Sequence, residues 1–187
     1  MRNYDVALIG FGGVGRALAE IIHADGDRLA GQLGFTLRVT AITDLRFGTL
    51  VDPDGVDLPA VFAMAPGETF AAFPGGSEAV SNQDVIRTAP ADVIAEATFT
   101  NPADGEPALS HIRWALESGK SACTTNKGPV AFAAAELKAL AKANGVHFGY
   151  EGAVMSGTPV ISLAHGPLAG VGITGFEGIL NGTSNYP

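Results

Sequence analysis

The stretch from Asp5 to Leu18, DVALIGFGGVGRAL, constrains the fold of this chain more than any other. An apolar run, Val6 to Ile9, leads into Gly10-x-Gly12-x-x-Gly15, and then into Arg16 to Ile22, where apolar residues recur with helical spacing. Strand, glycine turn and helix in that order predict the first βα unit of a doubly wound parallel sheet. In such a unit Gly10 permits the tight turn, Gly12 lets the backbone approach a pyrophosphate, and Gly15 lets the helix pack closely on the strand. Unpaired amides at the helix start, with the helix dipole behind them, favour a bound anion. The whole turn, with Phe11, Gly13 and Val14 between the glycines, is therefore read as a dinucleotide site.

With 25 glycines among 187 residues the motif could arise by chance, and it is the flanking strand and helix that give it weight. Hydrophobic content of 47% against 16% charged residues indicates a globular chain with ample core. No apolar run is long enough to span a bilayer, and the first residues lack the basic-then-apolar pattern of a signal peptide; a cytoplasmic protein without a membrane partner is expected. A formal net charge of −8 argues against nucleic acid as a partner. The single cysteine, Cys123, excludes an intrachain disulfide and a thiolate metal cluster; it reads as a small core residue on a buried strand. His23, His111, His147 and His165 are scattered without metal-ligand spacing, and His111 and Trp114 read as surface and packing residues.

Further along, Asp25 to Asp27 and Gly31 to Gly34 break the helical pattern, and Leu37 to Thr43 alternates as a second strand. Asp44, just past it, is placed to accept hydrogen bonds from adenosine ribose hydroxyls. Its distance in sequence from the last glycine implies a longer helix or an added loop. Arg46 could instead meet a 2′-phosphate, which leaves NAD and NADP both open. Residues 48 to 81, rich in Gly and Pro, read as a surface insertion with one short helix near Glu68 to Phe73. A short helix over Asp84 to Arg87 follows, then a third parallel strand, Asp92 to Ala97. The strand runs into a polar loop, Thr98 to Pro102, whose Thr98, Thr100 and Asn101 should face the cofactor. Pro107 to Ser118 has helical spacing with Gly119 as its stop, and Ser121 to Thr124 is the next strand, ending in a loop that carries Lys127. Ala131 to Asn144 is a helix, Val146 to Tyr150 a strand, Glu151 to Pro159 a glycine-rich loop, and Val171 to Leu180 one or two strands.

Four segments, in order, resemble homoserine dehydrogenases across nearly the whole chain. They are GFGGVG at Gly10 to Gly15, GEPAL at Gly105 to Leu109, TNKGP at Thr125 to Pro129 with Tyr150, Glu151 and VMSGTP at Val154 to Pro159, and GILNGTSN at Gly178 to Asn185. The resemblance implies NAD(P)-dependent interconversion of L-homoserine and L-aspartate 4-semialdehyde, in the route to threonine, methionine and isoleucine. It implies that Gly12, Val14 and Gly15 hold the pyrophosphate, that Thr100 lies near the nicotinamide, and that Gly182 and Thr183 also touch the cofactor. Lys127 is the implied catalytic residue, at both cofactor and substrate, with Glu151, Asn181 and Thr183 on the substrate side. The backbone carbonyls of Glu151, Val154, Ser156 and Thr158 are implied to coordinate a sodium ion. An ammonium at Lys127 fits hydride transfer from an alcohol, where it would stabilise alkoxide character, or act as a base if its charge were disfavoured by desolvation beside another cation.

The expectation is thus a doubly wound Rossmann-like α/β domain over residues 1–148, followed at 149–187 by the beginning of a second α+β domain for substrate binding and dimerisation. Further acidic residues and a second lysine of the family's pattern are expected beyond Pro187. A homodimer is expected from apolar segments after Tyr150. Two other readings stand beside the dehydrogenase: a non-catalytic NAD(P)-binding module or half of a split enzyme, and a related semialdehyde or amino-acid dehydrogenase.

Overall fold

A computed structural model describes residues 1–178; Asn181, Gly182 and Thr183 lie outside the described residues. Among the described residues seven strands make one sheet: β1 (Arg2–Ile9), β2 (Phe35–Asp44), β3 (Gly48–Val51), β4 (Gly76–Ser77), β5 (Val93–Glu96), β6 (Ser121–Thr124) and β7 (Phe148–Gly149), in the order β4-β3-β2-β1-β5-β6-β7. β2, β1, β5, β6 and β7 run parallel, while β3 and β4 pair antiparallel at the far edge. The helices are α1 (Gly13–Leu33), α2 (Leu58–Phe62), α3 (Asn82–Thr88), α4 (Ala108–Glu117), α5 (Lys127–Ala143) and α6 (Val160–His165), with 3₁₀ turns at Phe70–Ala72 and Glu151–Ala153. This is the doubly wound α/β architecture that the first βα unit predicts.

β1 is apolar on both faces because both are covered. Val6 and Leu8 join a core with Ala19 and Ile22 of α1 and Val39 of β2; Ala7 and Ile9 join the opposite core with Ile112 and Leu116 of α4 and Leu137 of α5. A parallel sheet enclosed between helix layers requires this continuous apolar run. All its parallel strands then deliver their carboxyl ends to one edge, where ligands of doubly wound sheets lie.

Several local expectations are corrected. α1 does not break at Asp25 to Asp27; it runs on for 21 residues in all, to Gly34 in the left-handed conformation, whose N–H donates to the Ala30 carbonyl at 2.9 Å. Arg28 supports this length by pairing with Asp25 at 3.2 Å and donating to Gln32 at 3.1 Å, and Gly26 faces open space. Residues 48 to 81 are more than a surface insertion. They add β3, β4 and α2, and they bury Leu50, Leu58, Val61 and Phe70 against the α1 face of the sheet. The helix expected from Ala131 is preceded by a short helical segment from Lys127, and α5 is kinked where the two join, at Ala133 (φ −145°, ψ 19°). The Asn126 side chain caps the first segment by accepting from Gly128 N at 3.1 Å, and Pro129 is tolerated in a first turn. No strand forms among the described residues of 171–178. Cys123 is exposed rather than buried: it lines a broad open cavity of about 800 Å³ with Val14 and Leu18 of α1, Ala95 of β5 and Phe148 of β7. Among the described residues no helix is long and apolar enough to cross a membrane.

Gly26 offers a direct check on the helix that the sequence pattern conceals. A Cβ there meets nothing within 4 Å, so Gly26→Ala should stabilise the fold by about 0.5–1 kcal/mol through helix propensity. In thermal unfolding this is a rise in Tm of roughly 1–4 °C; a fall would mean that the helix does not continue through Gly26.

Candidate cofactor site

The glycine turn sits where β1 gives way to α1. Gly10 has φ +97°, and a Cβ on it would lie 2.6 Å from the Ala97 carbonyl oxygen. A Cβ on Gly15 would lie 2.1 Å from the Gly10 carbonyl oxygen, so only glycine lets the helix approach the strand this closely. A Cβ at Gly12 or Gly13 meets nothing, which leaves the surface over the helix start open to a ligand. Gly12 caps α1 without a side chain, and the amides of Gly13, Val14 and Gly15 in the first turn have no acceptor one turn back. Phe11 is buried and supports the turn from below. The result is an anion-binding helix end with 21 residues of dipole behind it.

On the β2 side, Asp44 is held in place by two backbone amides. Its Oδ2 accepts from Phe11 N at 3.0 Å and its Oδ1 from Arg46 N at 2.9 Å. The Arg46 side chain is 72% exposed, lies 3.6 Å from Asp44 through Nε, and stacks over Phe47 at 5.1 Å. A cleft of about 320 Å³ runs from here along the strand ends, lined by Gly10, Gly12, Thr43, Asp44, Thr98 and Phe99 among others.

Beyond β5, Thr98 lines this cleft but turns its hydroxyl down to Glu96, which also accepts from Thr98 N at 2.9 Å. Thr100 is exposed. Asn101 spends its side chain on its own turn, donating to Asp104 at 2.7 Å and accepting from Ala103 N at 3.0 Å. Beyond β6, Lys127 is the first, exposed residue of α5. Its ammonium thus adds a positive charge beside the free amides that open this short first segment. The Asn126 side chain bridges the two loops, donating to the Phe99 carbonyl at 2.9 Å.

The loop after β7 is organised by Glu151. Its carboxylate accepts from Ile161 N at 2.9 Å, from Ser162 N at 2.8 Å and from the Ser162 hydroxyl, and these donors hold its carboxyl below the usual range. With the carboxylate turned to α6, the group Glu151 retains for a ligand is chiefly its carbonyl. That carbonyl accepts from Val154 N at 3.2 Å, and the Thr158 carbonyl from Val160 N at 2.8 Å. Met155 and Ser156 lie at φ 57° and 52°, which curls the loop. Among the described residues no cluster of three or more His, Cys, Asp or Glu could hold a metal ion, so any cation here would rest on carbonyls.

The family model for the NAD-binding domain of homoserine dehydrogenase matches residues 10–151, from the glycine turn to the Glu151 loop. The chain belongs to this family. A homoserine dehydrogenase described as NAD(+)-dependent, from Pseudomonas canavaninivorans, is 54% identical over the whole chain, which covers 53% of that protein. The homoserine dehydrogenase of Methanocaldococcus jannaschii is 37% identical over 97% of the chain and 54% of its own length. A hyperthermophilic archaeal homoserine dehydrogenase solved in complex with NADPH superposes with a TM-score of 0.70 at 30% identity, covering 86% of this chain and 47% of that one. The chain thus spans about half the length of the curated relatives it matches.

Within this homoserine dehydrogenase NAD-binding fold, the sequence pattern overlooked the residues beneath the loops. Glu96 passed as part of an apolar strand, yet it is buried and accepts from Thr98 and from the Thr124 hydroxyl at 2.7 Å. His111, expected among surface and packing residues, is also buried. It brings Nδ1 to 3.7 Å from Glu96, and its Nε2 lies 3.1 Å from Asn82 Nδ2. An acceptor-only carboxylate facing Nδ1 favours the proton there and leaves Nε2 to accept from Asn82. A carboxylate ending an otherwise apolar strand was the available signal.

Burial pushes the Glu96 carboxyl up, but the approach of His111 and the donors of Thr98 and Thr124 outweigh it and hold it below the usual range. A depressed native pKa means the unfolded chain takes up the proton first. Glu96 therefore contributes stability above the unfolded glutamate pKa of about 4.3, and this is lost as pH falls through the native value. Urea unfolding should show it: acidification from about pH 6 to pH 3.5 should lower the midpoint less in Glu96→Gln than in the unaltered chain. Equal losses would remove Glu96 from the acid response.

Proposed function

We propose that this chain is the cofactor-binding part of a homoserine dehydrogenase that interconverts L-homoserine and L-aspartate 4-semialdehyde with NAD(P), in the biosynthesis of threonine, methionine and isoleucine. The observation that carries the reading is the pairing of an open glycine-turn helix end with Lys127 at the head of α5, both at the carboxyl edge of the sheet. In this proposal the nucleotide-binding unit extends to about residue 148, and residues from 149 open the substrate and dimerisation domain.

The pyrophosphate would rest on the amides of Gly13, Val14 and Gly15, the adenosine ribose on Asp44, and the nicotinamide half across the ends of β5 and β6. Asp44 supports NAD as the preferred cofactor. Its carboxylate is oriented by the Phe11 and Arg46 amides, suits two ribose hydroxyls and repels a 2′-phosphate, while Arg46 lies outward over Phe47.

When bound, oxidised nicotinamide supplies the hydride acceptor. Held across the ends of β5 and β6, it would take the hydride from the substrate's hydroxyl-bearing carbon, while the hydroxyl proton would pass to solvent. Lys127, exposed at the head of α5, is suited through its ammonium to stabilise the oxygen as it takes on alkoxide character. A sodium ion held by the carbonyls of Glu151, Val154, Ser156 and Thr158 is compatible with the loop, because a carbonyl that accepts one amide keeps a second lone pair. Homodimerisation is part of the proposal, supported by exposed Val171, Ile173 and Phe176; so is a cytoplasmic setting.

Nicotinamide fluorescence titrations test the cofactor half: the chain should bind NADH, and Asp44→Ala should weaken NADH at least tenfold more than NADPH. Equal losses would remove the ribose contact. Absorbance of reduced nicotinamide on mixing the protein with L-homoserine and NAD tests the reaction. There Lys127→Ala should cut turnover about a hundredfold, in line with loss of one oxyanion-stabilising group, with the Kd for NADH changed less than threefold. Unchanged turnover would take Lys127 out of the chemistry.

A further inference from the structure

Glu96 is the most deeply buried carboxylate among the described residues, at 2% exposure, and packing alone does not account for it. Desolvating a carboxylate is costly, and an apolar residue of similar volume would fill the same space at less cost. Its hydrogen bonds lead to both loops that would face the nicotinamide. Oε1 takes the amide and the hydroxyl of Thr98, and so anchors the start of the loop after β5. Oε2 takes the Thr124 hydroxyl at 2.7 Å, and that hydroxyl in turn accepts from Asn126 N at 2.9 Å. Asn126 then caps α5 through Gly128 N at 3.1 Å and donates to the Phe99 carbonyl at 2.9 Å. The two loops are also in backbone contact, since a Cβ on Gly128 would lie 2.5 Å from Gly105 Cα. From behind, His111 faces Glu96 and is itself held by Asn82, a residue of the cleft lining.

We propose that Glu96 is a positioning residue for the nicotinamide half of the cofactor, locking the Thr98–Asn101 loop to the head of α5 so that the ring platform and the Lys127 ammonium keep one relation. Glu96 touches neither ring nor substrate and acts through Thr98, Thr124 and Asn126. The adenosine half, on the other side of the glycine turn, rests on Asp44 and is outside this network. The proposal rests on the reading of the chain as a nicotinamide-dinucleotide domain, and it predicts a division between the two halves of the ligand that a general loss of stability would not produce.

The test compares NADH with ADP-ribose, which lacks the nicotinamide, by fluorescence and calorimetric titration of the chain. Glu96→Gln should raise the Kd for NADH at least tenfold while leaving that for ADP-ribose within twofold, and should return the emission of bound NADH toward that of the free form. Thr124→Val, which cuts the link to Asn126 while leaving the carboxylate in place, should show the same division at threefold or more, and it decides alone if Glu96→Gln does not fold. Equal change for both ligands, or no change for either, would overturn the positioning role while leaving the cofactor site standing. Failure of the unaltered chain to bind either ligand would instead overturn the nucleotide-binding reading and the positioning role with it.

Discussion

The contact of Gly15 on the Gly10 carbonyl is the constraint from which the rest of the site follows. Backbone touching backbone at this point fixes where α1 starts relative to β1, and so where its free amides point. The Phe11 amide, in the same turn, reaches Asp44 at the end of β2, which ties the helix start to the neighbouring strand. On the other side Gly10 packs on the Ala97 carbonyl beyond β5. One tight turn thus sets the spacing of three strand ends, and a dinucleotide site is a matter of that spacing.

Away from this turn, the molecule uses two kinds of material. The helix-facing sheet surfaces are apolar and tolerant: Ala, Val, Ile and Leu cover them almost without interruption. The strand ends of β5 and β6 are polar and specific. Glu96, Thr98, Thr124 and Asn126 form a connected set in which each hydrogen bond depends on its neighbour, and such a network orders loops that apolar packing would leave free to slide. The cost of burying the carboxylate is offset only because its donors are already in place, which is also why its carboxyl lies below the usual range despite burial.

Much of the fold was legible from periodicity. The continuous apolar β1, the alternating β2, the short apolar β5 and β6, and the helical spacing of α4 and α5 each reflect a single local requirement, cover on two faces or on one. The errors came where local propensity and tertiary context disagree. Gly26 between two aspartates reads as a break, but the packing of Ala19, Ile22 and Ala30 along one side of α1 carries the helix through it. The Gly- and Pro-rich stretch after Phe47 reads as surface, yet Phe70 fills the core, because the antiparallel edge made by β3 gives it a wall to pack on. Cys123 reads as buried because β6 is apolar; it is exposed because no described element covers that part of the sheet.

The sequence by itself determined the parallel sheet, the glycine turn and the placing of Asp44 and Lys127 at strand ends, since these depend on short-range rules: which residues allow a tight turn, which alternate, which begin a helix. Only the tertiary structure decided that Glu96, His111, Thr124 and Asn126 come together. They come from β5, α4, β6 and the start of α5, and no local pattern links them. Their association arises because the crossover connections stack β5 beside β6 with α4 behind, and a buried carboxylate must find its donors among whatever those neighbours present.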